Sequence, residues 1–142
     1  LLSQAEHDEL ASSVLITDSK ILAEGVSNEI ERHMVKLKRR AIASKSLKNY
    51  GDVIIVRDIA RAIELSNHIT PEHLEIMTKK PAAVLPKIKN DGAIFLGRWT
   101  PESMGDYSAG PDPTLPTGGT ARFFSPLGVY DFIKRSLSSL LR

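Results

Sequence analysis

A glutamate and a histidine stand side by side, Glu72 and His73, in the stretch ITPEHLEI at residues 69–76, behind a proline and between apolar flanks. An imidazole titrates near neutrality and serves as base or acid, and a neighbouring carboxylate can do the same when its surroundings tune it. Adjacent residues on a strand face opposite ways, but where a strand begins or bends both can be directed into one cleft. Proton transfer is the chemistry this pair suggests; the plainer alternative is a surface carboxylate beside a satisfied, partly buried ring. Gln4 and His7 are three residues apart. On a helix they share a face, where an amide oxygen and an imidazole could reach one metal ion or could simply be solvated. Asp106 lies in ESMGDYSAG, flanked by Gly105 and Gly110. Close backbone approach and a hard carboxylate suit a metal ligand or a hydrogen-bond acceptor there, although an Asp in a Gly-rich loop is more often a turn residue. His33 and His68 read as surface and helix-end residues.

Hydrophobic spacing defines the elements that must position these groups. Leu1, Leu2, Ala5 and Leu10 suit the buried stripe of a short helix, and Val14 to Thr17 form an apolar strand ended by Asp18, a candidate N-cap. Ile21, Leu22, Val26, Ile30, Met34 and Leu37 recur at intervals suited to one helix over 19–39. The plan repeats: a turn at Gly51, a β-branched strand from Val53 to Val56, and Asp58 placed to cap a helix with Ile59, Ala62, Ile63 and Leu65 on its apolar face. PEHLEIMT is a third strand candidate, PAAVLPKI a short helix opened by Pro81, and GAIFLGRW a fourth strand introduced by Asp91 and Gly92.

Strands that read as continuous apolar runs, alternating with helices, predict an α/β fold with a mainly parallel sheet covered by helices on both faces. No GxGxxG or Walker-type loop is present, so the fold is expected to be an incomplete Rossmann-like one without its own nucleotide cradle. From Thr100 to Gly119 the chain is rich in Gly, Pro, Ser and Thr, a loop long enough to suspect function. The remainder reads as an extended piece and then a helix capped near Ser125 or Asp131. The expected division is 1–118 for the α/β part and 119–142 for the C-terminal extension.

At 142 residues one core is the default expectation. Hydrophobic residues at 42% and charged residues at 25% match an ordinary soluble domain, and no apolar run approaches a membrane span, so neither a membrane nor a disordered class is supported. Nineteen basic against seventeen acidic residues leave a charge of only +2, and KLKRR at 36–40 reads as a solvated helix C-terminus. With few aromatics to stack bases, a nucleic-acid partner is not expected. The absence of cysteine excludes disulfides, thiolate nucleophiles and Cys-type zinc sites. The first residue is not Met, and LLSQAEHDEL reads as a helix entered midway, as in a piece of a longer chain.

Four segments together resemble a known family: LLSQAEHD, PEHLEI, GAIFLGRWTPESMGDYSAGP and LPTGGTARFFSPLGVYDFIKRS look like consecutive parts of histidinol dehydrogenase, in the same order, over essentially the whole chain. The resemblance implies a cytoplasmic, homodimeric enzyme of histidine biosynthesis that uses zinc and NAD to oxidise L-histidinol to L-histidine through the aldehyde. Carried over onto matching positions, it implies Gln4, His7 and Asp106 as zinc ligands and Glu72 and His73 as the catalytic acid/base pair. Gln4, His7, His73 and Asp106 would also bind substrate. In the implied mechanism His73 takes the hydroxyl proton as hydride leaves, and Glu72 activates water for attack on the aldehyde.

Two departures bear on the carry-over. The family completes its zinc shell with a histidine in a C-terminal segment exchanged between subunits, which this sequence does not contain, and the NAD-binding N-terminal domain is likewise absent from it. The isolated chain is therefore expected to be inactive. In DPTLPT, residues 112–117, Pro113 stands where the family pattern NHVLPT has a substrate-contacting histidine. That substitution raises the alternative of another alcohol or diol as substrate, and a folded assembly module without catalysis is the alternative from a different class.

Overall fold

The computed structural model describes residues 1–102 and 114–139, so that Asp106 and Pro113 lie outside the described residues. The chain separates into two compact units, Leu1–Ala62 and Ile63–Arg142.

The first unit contains α1 (Leu2–His7), β1 (Ser13–Thr17), α2 (Lys20–Met34), α3 (Arg40–Tyr50) and β2 (Gly51–Ile55). Strands β1 and β2 pair in parallel, with Ser13 opposite Gly51 and Thr17 opposite Ile55. The expected strand at 14–17 and the expected second strand are both present. Val53 and Ile55, which alternate onto one face of β2, are exposed within this chain.

Small side chains make this core: Ala5, Ala23, Ala43 and Ser46 are buried, which lets α1 and α3 approach closely. The Ser46 hydroxyl donates to the Ala11 carbonyl at 2.7 Å, and the Ser13 hydroxyl donates to the Leu1 carbonyl at 3.0 Å, tying the start of α1 to β1. Buried hydroxyls of this kind are tolerated because each has found an acceptor.

Three local expectations need correction. The single helix over 19–39 is two helices: α2 stops at Met34, and the basic residues Lys36, Lys38 and Arg39 lie between it and α3. Lys36 N–H bonds the His33 carbonyl and Leu37 N–H the Met34 carbonyl, closing α2 with tightened turns. KLKRR is thus not a helix C-terminus. Its Arg40 opens α3, where the helix dipole gives a cation no benefit. The N-cap of α2 is Ser19, whose hydroxyl oxygen accepts from Leu22 N–H at 3.2 Å, rather than Asp18. Asp58 does cap its helix: Oδ1 accepts from Arg61 N–H at 2.8 Å at the start of α4 (Ile59–Ile69), the helix in which the division between units falls.

The second unit continues with β3 (His73–Ile76), α5 (Pro81–Val84) and β4 (Ala93–Leu96). Pro81 opens α5 as expected, its missing N–H being one the first turn leaves unpaired anyway. Strands β3 and β4 are parallel, with His73 opposite Ala93 and Ile76 opposite Leu96. Ile63, Ile76 and Phe95 are buried here. The α/β class and the parallel pairing hold, but the four strands form two separate two-stranded sheets rather than one.

The C-terminal helix expected near Ser125 or Asp131 is absent among the described residues, which show only 3₁₀ turns at Thr120–Arg122 and Val129–Phe132. Asp131 turns its carboxylate back to accept from Gly128 N–H at 2.7 Å, a local bond that competes with helix formation. Val129, Phe132 and Ile133 are exposed and Leu137 is 99% exposed, so a helix here would bury no apolar stripe within the described chain.

Candidate functional site

Glu72 lies in the bend that immediately precedes β3 and His73 is the first residue of that strand, and the backbone around them is closely held. Ala93 N–H donates to the Glu72 carbonyl at 2.8 Å and Gly92 N–H donates to the Pro71 carbonyl at 3.1 Å. The β4 strand therefore clamps the pair's main chain from its own first residues. Gly92 is required for that approach, because a Cβ on it would stand 2.5 Å from the Glu72 carbonyl oxygen, inside any real contact distance.

Both side chains are half-buried. The His73 ring lies 6.1 Å from that of Phe95, two residues along β4 on the same sheet face, at an interplanar angle of 32°. Its Nδ1 is buried and has no hydrogen-bond partner among the described residues. A satisfied structural histidine is the alternative reading of such a residue, and among the described residues this nitrogen is not satisfied. Buried polar groups left unpaired are rare enough to suggest a function.

Upstream, the turn from α4 into Pro71 is made by Thr70, which has φ 59° although its side chain is β-branched. Downstream, the Glu75 carboxylate accepts from Glu102 N–H at 3.1 Å. Next to Gly92, both carboxylate oxygens of Asp91 are buried, and this desolvation outweighs the lowering effect of the Asn90 backbone and pushes the carboxyl up from 3.8 to about 6. In the sequence Asp91 reads only as the residue that, with Gly92, introduces the fourth strand. An Asp-Gly pair ahead of a strand so commonly marks a turn that its burial left no other signal.

The second pair sits in the first unit. Gln4 and His7 both lie on α1, as the spacing predicted, with Gln4 half-buried and His7 exposed at the last helical position. The helix is six residues long and has no side-chain N-cap, and its C-cap, Asp8, is extended. An amide oxygen and an imidazole on one face are a chemically sound half of a zinc shell, and the third expected donor, Asp106, lies outside the described residues. Among the described residues no group of three His, Cys, Asp or Glu side chains stands ready to hold a metal. No helix among them is long and apolar enough to cross a membrane. The remaining histidines take structural places: His33 faces Glu29 at 3.3 Å, and the His68 carbonyl accepts from the Arg122 guanidinium at 2.5 Å.

A parallel α/β chain with a glutamate and a histidine fixed at a strand start, and a separate amide and imidazole pair on a helix, has the features of an enzyme segment. The comparisons with known proteins make this specific. The family model for histidinol dehydrogenase matches residues 1–141, and the chain belongs to that family. It is 58% identical over 136 residues to histidinol dehydrogenase from Aquifex aeolicus, covering 96% of this chain and 32% of that protein. The protein of the same name from Geobacter metallireducens is 60% identical over 136 residues, with 96% and 31% covered. In three dimensions the chain is similar to the crystal structure of histidinol dehydrogenase from Elizabethkingia anophelis, with a TM-score of 0.91 and 35% identity over 94% of this chain and 30% of that one. The chain spans about a third of the length of the curated relatives it matches.

Proposed function

We propose that this chain is the segment of a histidinol dehydrogenase that carries its proton-transfer pair and most of its zinc ligands, in an enzyme that oxidises L-histidinol to L-histidine through the aldehyde. The observation that carries the reading is the buried Nδ1 of His73, without a partner among the described residues, beside Glu72 on a backbone locked by β4. His73 takes the proton of the substrate hydroxyl as that carbon loses hydride. Glu72 then removes a proton from the water that attacks the aldehyde carbon, and the same adjacent pair serves both oxidations. A backbone fixed before substrate arrives is where pre-organisation of such groups contributes most. Zinc, held by Gln4, His7 and Asp106, would supply the positive charge that binds and orients the amino and imidazole groups of the substrate, with NAD as hydride acceptor. Gln4, His7, His73 and Asp106 would line the substrate site.

The same reading includes a homodimer, a cytoplasmic location, no nucleic-acid partner, and a division of this segment into 1–118 and an extension at 119–142. The isolated chain is inactive on this reading. Histidinol-dependent NADH formation by the complete enzyme, strongly reduced in His73→Asn and Glu72→Gln and absent from the isolated chain, is the expected result. Full turnover by either variant would sink it.

Pro113 favours a second reading, a dehydrogenase of the same family acting on a different alcohol. Comparing histidinol with other amino alcohols and diols separates the two, and Pro113→His should raise histidinol turnover if the second is right.

A further inference from the structure

We propose that Thr70 is a positioning residue for the Glu72 and His73 pair: the end of α4 holds it in the left-handed region, and this fixes the direction in which the chain turns into Pro71, Glu72 and His73. The proposal rests on the reading of those two residues as the proton-transfer pair, but its structural half is readable without turnover.

A helix often ends on one left-handed residue, and glycine is the usual choice because it has no Cβ to clash. A β-branched side chain at φ 59° is a steric outlier, and such a residue persists only where its surroundings over-determine it. Here they do. Thr70 is 2% exposed, its N–H bonds the Ser66 carbonyl at 2.9 Å, and its hydroxyl donates to the Asn67 carbonyl at 3.3 Å. The Asn67 side chain then reaches forward: Nδ2 donates to the Lys87 carbonyl at 3.0 Å, and Oδ1 accepts from Lys89 N–H at 2.7 Å. Asn90 Nδ2 returns a bond to the Asn67 carbonyl at 3.1 Å. Three residues on, Ala93 N–H grips the Glu72 carbonyl.

These bonds close a ring from the end of α4, through the segment that leads into β4, and back to Glu72. Thr70 is the only strained non-glycine residue in that ring, and the only one among the described residues. Strain next to a functional pair is a common sign of backbone held for positioning rather than for stability. Pro71 adds stiffness, since its ring fixes its own φ and restricts the residue before it.

Thr70→Gly separates the two roles in the complete enzyme. Glycine relieves the φ strain, yet removes the hydroxyl bond and loosens the turn. The expected result is a melting temperature equal to or above that of the parent, with kcat lower by about tenfold, a scale set by misplacement of catalytic groups. KM for histidinol should change little, and Thr70→Ser should restore most of kcat. Amide hydrogen exchange gives a second readout: the Ala93 N–H, bonded to Glu72, should exchange faster in Thr70→Gly while the Ile54 N–H in β2 does not change. Unchanged kcat together with unchanged Ala93 exchange would overturn the proposal, as would a kcat loss that Thr70→Ser does not reverse. If the parent enzyme shows no histidinol turnover, the functional reading fails on its own, and Ala93 exchange still decides whether Thr70 holds this backbone.

Discussion

The two pairs of candidate residues are built to opposite specifications. Gln4 and His7 ride on a six-residue helix with no side-chain N-cap and with His7 exposed, held by small-residue packing at Ala5 and by the Ser13 bond to Leu1. Glu72 and His73 stand on backbone gripped from both sides, by the Thr70 turn behind and the first residues of β4 opposite. A proton-transfer group works only within hydrogen-bond reach of one atom, so its backbone must be fixed before substrate arrives. Metal ligands can be drawn into place by the ion itself, because coordination supplies the ordering energy. The rigid region should therefore fail when its geometry is disturbed, and the looser one when its ligands are removed.

The largest effect tests the rigid pair. His73→Asn in the complete enzyme should lower kcat for histidinol oxidation by about 10²- to 10⁴-fold, the usual worth of a positioned general base, with the melting temperature nearly unchanged. Loss of folding instead would make His73 a structural residue. Gly92→Ala should come next. The added methyl meets the Glu72 carbonyl oxygen, so β3 and β4 must shift apart at their first rung, and we expect a loss of about 2 kcal/mol in stability, in the range for overpacking. A thermal or denaturant midpoint unchanged by this variant would show that the clamp at Glu72 is slack.

How far the sequence revealed this arrangement depends on where the signal resided. All four strands and the parallel pairing were legible, because apolar β-branched runs bounded by Gly, Asp and Pro leave few alternatives. The α3 helix was not, since its buried positions are Ala43 and Ser46, too small to register as an apolar stripe, and the apolar spacing of α2 seemed to run on to Leu37. The missing C-terminal helix fails for the converse reason: its apolar residues exist but have nothing described to bury against. Gln4 and His7 lie together on α1 and Glu72 and His73 at the start of β3, as their spacings suggested, while the roles proposed for them come from the family resemblance alone. Thr70 and Asp91 were not legible at all, because strain and desolvation are properties of the folded backbone and leave no trace in residue identity.

The looser pair is tested by metal. Zinc titration of this chain by calorimetry should give weak binding, as suits donors on the short, uncapped α1, and His7→Ala and Asp106→Ala should each reduce it by at least about tenfold, since each would remove one ligand of the proposed shell. Binding indifferent to both substitutions would move the metal site away from α1. Binding as tight as that of a complete four-ligand site would mean that α1 is as pre-organised as β3, and the contrast between the regions would collapse.

The smallest effect reads the electrostatics of the rigid region through Asp91. Its carboxyl is raised from 3.8 to about 6 by desolvation, so the folded state holds a proton there that the unfolded chain has already released between those two values. Stability from this group is therefore fully present below pH 3.8, falls as pH rises through 6, and stays reduced above it. Asp91→Asn removes the charge and keeps the shape. Near pH 7.5 it should stabilise the protein by about 1 kcal/mol, the shift being discounted for solvent screening of a half-buried group. Near pH 4 it should change little. An advantage of equal size at both pH values would mean that shape or hydrogen bonding, and not buried charge, sets the cost. A destabilising Asp91→Asn at pH 7.5 would mean that the carboxylate has a cationic partner in the complete enzyme, and the group would then belong with the ligand-completed region rather than the pre-built one.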